Sequence, residues 1–96
     1  MHDPALVVTE AKFTRASDQD ERQGLLGFVA VTLNDALRLD CLTLRRSAHG
    51  DLYLSYPART DRSGERHAVV RPLGDIPRRV LQDQVFERLG LGEAAQ

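Results

Sequence analysis

"LLGFVAVTLNDALRLDCLTLRR", residues 25–46, decides the fold of this chain. Its first nine residues, Leu25 to Leu33, are apolar on both alternating faces and rich in valine, which places them as a central strand. Asn34 and Asp35 tolerate the tight backbone of a turn. The returning segment alternates Leu37, Leu39 and Cys41 against Arg38 and Asp40, then moves its leucines to the other phase at Leu42 and Leu44. Such a change of phase marks a bulge, or a strand covered on both sides. The unit predicts a long antiparallel hairpin, with Cys41 read as a core thiol among its leucines.

Upstream, Val7, Thr9, Ala11 and Phe13 alternate with Val8, Glu10 and Lys12, the period of a half-buried strand. "ASDQDERQG", residues 16–24, has no apolar period and reads as a polar loop. Downstream, "SAHG" turns the chain with His49 as a turn residue, and "DLYLSY" puts Leu52, Leu54 and Tyr56 on one face of another strand. "HAVVRPL", residues 67–73, predicts one more short strand, which Pro72 confines to an edge or an end. "DIPRRVLQDQVFERLG", residues 75–90, predicts the one helix: Asp75 is the N-cap candidate, Pro77 lies in the first turn and Gly90 sits just past the end. Leu81, Val85 and Leu89 recur every four residues as its apolar stripe, with Phe86 at the margin and Arg78, Gln82 and Glu87 turned elsewhere. The expected fold class is α+β: an antiparallel sheet of about four strands plus one C-terminal helix, in a single domain over 1–96 with its core at about 7–90 and a frayed tail at 91–96.

Ninety-six residues, 42% of them hydrophobic, suit one small core. Five aromatic residues leave leucine, valine and alanine to build it, and small cores of that kind gain stability by pairing with a second copy. A homodimer along the sheet and the stripe of Leu81, Val85 and Leu89 is therefore expected. The longest apolar run, Gly24 to Val31, is far short of the roughly 20 residues that cross a bilayer, and Met1 to Lys12 lacks the basic start of a secretory signal. The expected location is the cytoplasm, with no membrane partner. One cysteine cannot form a disulfide within the chain, and no Cys or His stands at zinc-ligand spacing from it. Neither cofactor nor metal is expected. No spaced set of nucleophile, base and acid occurs, so the chain reads as non-enzymatic.

The net charge of −1 is unevenly spread: the middle of the chain, Arg38 to Arg79, is basic, and both flanks are acidic. All basic residues but Lys12 are arginine, whose planar fork matches phosphate or carboxylate in a bidentate way. "YPARTDRSGERH", residues 56–67, concentrates them. Pro57 ends the preceding strand, Ser63-Gly64 permits a tight return, and Arg59, Arg62 and Arg66 project together, with Thr60 and Ser63 as possible hydroxyl contacts. The residues alone leave two readings open. In one, the loop is solvated and Asp61 and Glu65 partly neutralise the arginines; in the other, the arginines grip phosphate, fixing position without reading sequence. Arg78 and Arg79, in the first turn of the helix, oppose its dipole; they either extend the arginine surface or pair with Asp75 and Asp83. Arg45 and Arg46 read as solvated strand-end charges.

The order of these segments resembles the SpoVG (stage V sporulation protein G, septation regulator) family. "VTEAKFTR" resembles its opening strand, "VAVTLNDALRLDCLTL" its second and third strands, and "GDLYLSYPARTDRSGERH" its strand that ends in proline, a basic pair, threonine and a glycine turn. "VVRPL" and "LQDQVFERLG" match its short apolar stretch ending in proline and its helix. The resemblance covers about Val7 to Gly90. It implies a bacterial cytoplasmic homodimer that exchanges its C-terminal helices, and a regulator of septation, cell division, sporulation or transcription that binds DNA or RNA. Arg59 keeps the one basic position that matches the family's pair; the nucleic-acid contacts expected with it are Thr60, Arg62 and Arg66 of the same loop and Arg78 and Arg79 of the helix. Two departures stand out. The family's Lys-Arg pair reads here as Ala58-Arg59, with Arg62 following where proline or a polar residue is common, and the loop Ala16 to Gln23 is longer than the family's. The alternative is a protein-interaction module in cell division or envelope control, whose same loop meets an acidic protein partner.

Overall fold

The computed structural model describes residues 6–91, so His2 and most of the expected tail lie outside the described residues. Four strands, β1 (Val8–Arg15), β2 (Leu25–Leu33), β3 (Leu37–Arg46) and β4 (Leu52–Ser55), form an antiparallel sheet in the order β1-β2-β3-β4. Between β1 and β2 lies a short helix, α1 (Asp18–Arg22), and the C-terminal helix, α2, spans Asp75–Leu89. Between β4 and α2 two further strands, β5 (Ala58–Thr60) and β6 (Arg66–Ala68), pair only with each other. The fold is α+β, as the sequence pattern requires.

The hairpin β2–β3 turns through Asn34, Asp35 and Ala36 between the paired Leu33 and Leu37; Asn34 and Asp35 both have positive φ (51° and 52°), and the Ala36 N–H donates to the Leu33 carbonyl at 2.9 Å. Asn34 also joins β1 to this turn: its Oδ1 accepts the Val7 N–H at 2.7 Å, and its own N–H donates to the Val7 carbonyl. The phase change in β3 is a bulge. Val29 pairs with Leu42 but Val31 with Leu39, so a two-residue step on β2 faces a three-residue step on β3. That extra residue explains a correction: Cys41 is exposed, because the bulge carries it out of the phase in which Leu42 and Leu44 are buried. The apolar second face of β2 is also open. Val29, Val31 and Leu33 are buried, whereas Phe28 on the opposite face is 46% exposed.

Leu81, Val85 and Phe86 of α2 pack on Val8, Val29, Val31, Leu42, Leu44 and Leu54 to form the core. Phe86 is thus a core residue, and Leu89 only joins the margin. Two polar side chains of α2 fix the helix across the sheet. Gln84 Oε1 accepts the Val8 N–H at 2.8 Å while its Nε2 donates to the Leu6 carbonyl at 2.7 Å, and Arg88 Nε donates to the Val8 carbonyl at 2.8 Å. On the other outer strand, Gln82 Oε1 accepts the Leu54 N–H at 3.0 Å, so Gln82 does not face solvent as its place off the stripe suggests. Edge strands carry unpaired backbone groups, and here side-chain amides of the helix satisfy some of them at both edges.

Three local expectations are corrected. The stretch 16–24 contains α1, because Ser17 Oγ accepts the Asp20 N–H at 3.1 Å and acidic residues fill the first turn. The N-cap of α2 is Gly74, with no side-chain cap, and Asp75 is already helical. The strand expected over 67–73 begins at Arg66 and ends at Ala68, leaving Val69 exposed. At the far end Gly90 is left-handed; its N–H donates to the Glu87 carbonyl and that of Leu91 to Phe86, closing the helix as expected.

Candidate nucleic-acid interface

The stretch 56–67 becomes a free-standing two-stranded ribbon. Ala58 pairs with Ala68, Arg59 with His67, and Thr60 with Arg66, and every residue from Ala58 to Val69 is exposed. Pro57 separates it from β4, although the Pro57 carbonyl still accepts the Val69 N–H and closes the base of the ribbon. Side chains alternate along a strand, and directly opposed residues share a face. Arg59 therefore projects from one face beside His67, and Arg66 from the other beside Thr60. Arg62 occupies the tip. The three arginines lie on one ribbon but not on one side of it.

Asp61 builds the tip. Its Oδ1 accepts the N–H groups of Ser63 and Glu65, both at 2.9 Å, and the Ser63 hydroxyl at 2.7 Å, while its Oδ2 lies 2.7 Å from His67 Nε2. The Asp61 N–H donates to the Glu65 carbonyl, and Gly64, with φ at 88°, makes the return that a side chain would resist. The hydrogen bond from His67, with those from Ser63 and Glu65 behind it, holds the Asp61 carboxyl down at about 2. Glu65 Oε1 lies 3.9 Å from the same imidazole nitrogen. Asp61, Glu65 and His67 thus offer three metal-ligand atoms within 4.8 Å of one another, and the short Asp61–His67 contact accounts for that convergence as a hydrogen bond.

This geometry bears on the neutralised-loop reading. Neither Asp61 nor Glu65 pairs with an arginine; both face His67 and their own turn. Elsewhere acids do engage arginines. Arg15 meets Asp18 and Glu21, Arg38 meets Glu10 and Asp40, and Arg78 meets Asp75 at 3.5 Å, as its spacing predicts. Among the described residues Arg59, Arg62, Arg66 and Arg79 make no ion pair, so the expected Arg79–Asp83 pair is absent. Glu10, Asp18 and Glu21 of the acidic N-terminal flank meet Arg15 and Arg38, and among the described residues the ribbon cations are left over. Arg78 and Arg79 are both exposed in the first turn of α2. Leu81 and Val85 are buried in the chain's own core, with Leu89 half-buried.

No protein-family model matches the chain. Among curated proteins it is similar to the "Putative septation protein SpoVG" of Borrelia hermsii (strain HS1 / DAH), 28% identical over 80 residues that cover 83% of this chain and 82% of that protein. The protein of the same name from Borreliella burgdorferi (strain ZS7) is 26% identical over 80 residues, covering 83% of this chain and 81% of its own. The likeness to these proteins supports membership of the SpoVG family. The ribbon was partly legible in the sequence: proline, a cation and a serine-glycine turn announce it. The pairing of β5 with β6, and hence the splitting of the arginines between two faces, follows only from the register. Gln82, Gln84 and Arg88 carried no signal as sheet-binding groups, because a polar residue off the apolar stripe looks the same whether it meets water or a strand edge. Among the described residues no helix is long and apolar enough to cross a membrane.

Proposed function

We propose that this chain is a non-enzymatic, cytoplasmic, SpoVG-like regulator of septation or gene expression that binds nucleic acid by inserting the β5–β6 ribbon between phosphate rows. The observation that carries the reading is the set of unpaired arginines on an exposed ribbon whose own acids are occupied by its turn. A cation on each face and one at the tip suit a groove with phosphates on both walls better than a flat surface, and the major groove of duplex DNA admits a two-stranded ribbon. Thr60 on the Arg66 face adds a hydroxyl for the same backbone. Arg78 and Arg79 extend the cationic surface beyond the ribbon.

The working unit is a homodimer. Val69, Leu73, Ile76 and Val80 are exposed apolar side chains between the ribbon and the middle of α2, with Leu73 at 80% and Ile76 at 77%, and a second copy is the partner that would cover them. In the single chain α2 packs on its own sheet; helix exchange would make the same contacts with the sheet of a partner.

Fluorescence anisotropy with duplex and single-stranded oligonucleotides across a series of salt concentrations tests the proposal. Phosphate gripping gives a linear fall of log affinity with log salt, at about 0.9 per phosphate contact on duplex DNA. No binding to either oligonucleotide at low salt, with capture of an acidic protein instead, would overturn it.

A further inference from the structure

Beside the base of the ribbon a cleft of about 440 Å³ lies between β4, residues 71–74 and the first turn of α2. Tyr53, Ser55, Tyr56, Arg71 and Arg78 line it. Its chemistry is unlike that of an ordinary surface groove. Arg71 makes no ion pair among the described residues, and Arg78 has only the 3.5 Å contact with Asp75, between two well-exposed side chains. The Tyr56 hydroxyl is buried and has no hydrogen-bond partner among the described residues, whereas buried hydroxyls ordinarily have one. Burial raises the pKa of this phenol, and the nearby charge of Arg78 offsets part of that rise. The α2 helix begins at Gly74 with no side-chain cap, and the positive end of its dipole opens at the cleft. Tyr53, 39% exposed, supplies an aromatic wall.

We infer that this cleft binds the phosphate of a nucleotide: Arg71 and Arg78 pair with its oxygens, the Tyr56 hydroxyl, shut off from solvent in the free chain, is turned out to donate to one of them, and Tyr53 offers a stacking face to the base. Two cations and an unsatisfied donor select an anion with several acceptor oxygens, and the aromatic wall selects a phosphate that carries a flat ring. The choice of a nucleotide over other phosphate esters rests on the nucleic-acid reading of the ribbon. The cleft adds Tyr53, Tyr56 and Arg71 to the residues that meet the ligand, and it fixes one nucleotide where the ribbon tracks a backbone.

The test is an NMR titration of the full chain with adenosine 5′-monophosphate, and with inorganic phosphate and adenosine separately. Saturable shifts are expected at Tyr53, Tyr56, Arg71 and Arg78, with the nucleotide binding more tightly than either fragment. Arg71→Ala should weaken nucleotide binding about tenfold or more. Tyr56→Phe should weaken it too, yet leave the thermal midpoint of the free protein equal or higher, because it removes a buried hydroxyl that has no partner. Glu87→Ala, away from the cleft, should change neither. A 5′-hydroxyl oligothymidylate that shifts the same residues identifies a strand as the source of the phosphate; shifts with the mononucleotide alone identify a free nucleotide. Absence of shifts at these residues at millimolar nucleotide, or shifts unaltered in both Arg71→Ala and Tyr56→Phe, would overturn the inference. Failure of oligonucleotide binding with mononucleotide binding intact would refute the ribbon reading and not the cleft.

Discussion

Replacing Gln84 by alanine should release α2 from the outer edge of β1. The Gln84 amide acts there as a piece of a neighbouring strand, accepting from the Val8 N–H at 2.8 Å and donating to the Leu6 carbonyl at 2.7 Å. A typical intramolecular hydrogen bond contributes about 0.5 to 1.5 kcal/mol net, and a buried donor left unsatisfied costs more than an exposed one. The Val8 bond is partly buried and the Leu6 bond exposed, so water can take over the second but only poorly the first. The loss should be about 1 to 2 kcal/mol, nearly all from Val8. In a domain of this size each kcal/mol lowers the thermal midpoint by about 4 to 8 °C. Urea unfolding should show a lower midpoint with an unchanged slope, since the helix still buries the same apolar surface. Gln84→Glu keeps the acceptor for Val8 and loses the donor for Leu6, and should fall between the wild type and the alanine variant. Glu87→Ala, exposed on the same helix, is the control. If Gln84→Ala and Glu87→Ala gave the same midpoint, the amide would not be holding the edge strand, and the account of how the helix is placed would be wrong.

Gly27→Ala should destabilise the chain by about 1 to 3 kcal/mol through overpacking, because an added Cβ would collide with the Phe13 ring and the Thr14 carbonyl; equal urea midpoints would refute that packing. The Asp61 carboxyl, held at about 2, lies below its usual unfolded value near about 3.9, so its contribution to stability is present above pH 4 and is lost as pH falls toward 2. Carboxyl NMR should give a midpoint near 2 that climbs toward the ordinary range in His67→Ala; an ordinary midpoint in the wild type would remove His67 as the cause. Sedimentation at micromolar concentration should show a dimer of the 10.7 kDa chain, and a species of monomer mass alone would count against the exposed apolar segment as an interface.

The sheet and the helix were largely readable in the sequence because burial writes itself as periodicity. The alternation of β1 and β4, the continuous apolar run of β2 and the phase slip in β3 each became the expected strand or bulge. Groups placed by polar contacts were not readable. Ser17 turned a polar stretch into a helix by capping it, and Gln82 and Gln84 reached strand edges that no periodicity marks. Cys41 was misplaced because the bulge predicts that the phase changes but not which residue takes the outward position. At the candidate site the sequence identified the cations and the turn. It could not show that Asp61 is used up inside that turn, and this local bonding is what leaves the arginines without acidic partners.

The central claim is tested most directly by the salt dependence of duplex DNA binding in Arg59→Ala, Arg66→Ala and the double variant, which strip one face of the ribbon, the other, and both. Each side chain is exposed and outside the core, so the folded state should persist, as circular dichroism would verify. If each arginine holds one phosphate, each single change lowers the slope of log affinity against log salt by about 0.9, and the double change by about twice that, with a similar loss across DNA sequences. A folded double variant with the wild-type affinity and slope would contradict the account and leave the ribbon a solvated hairpin.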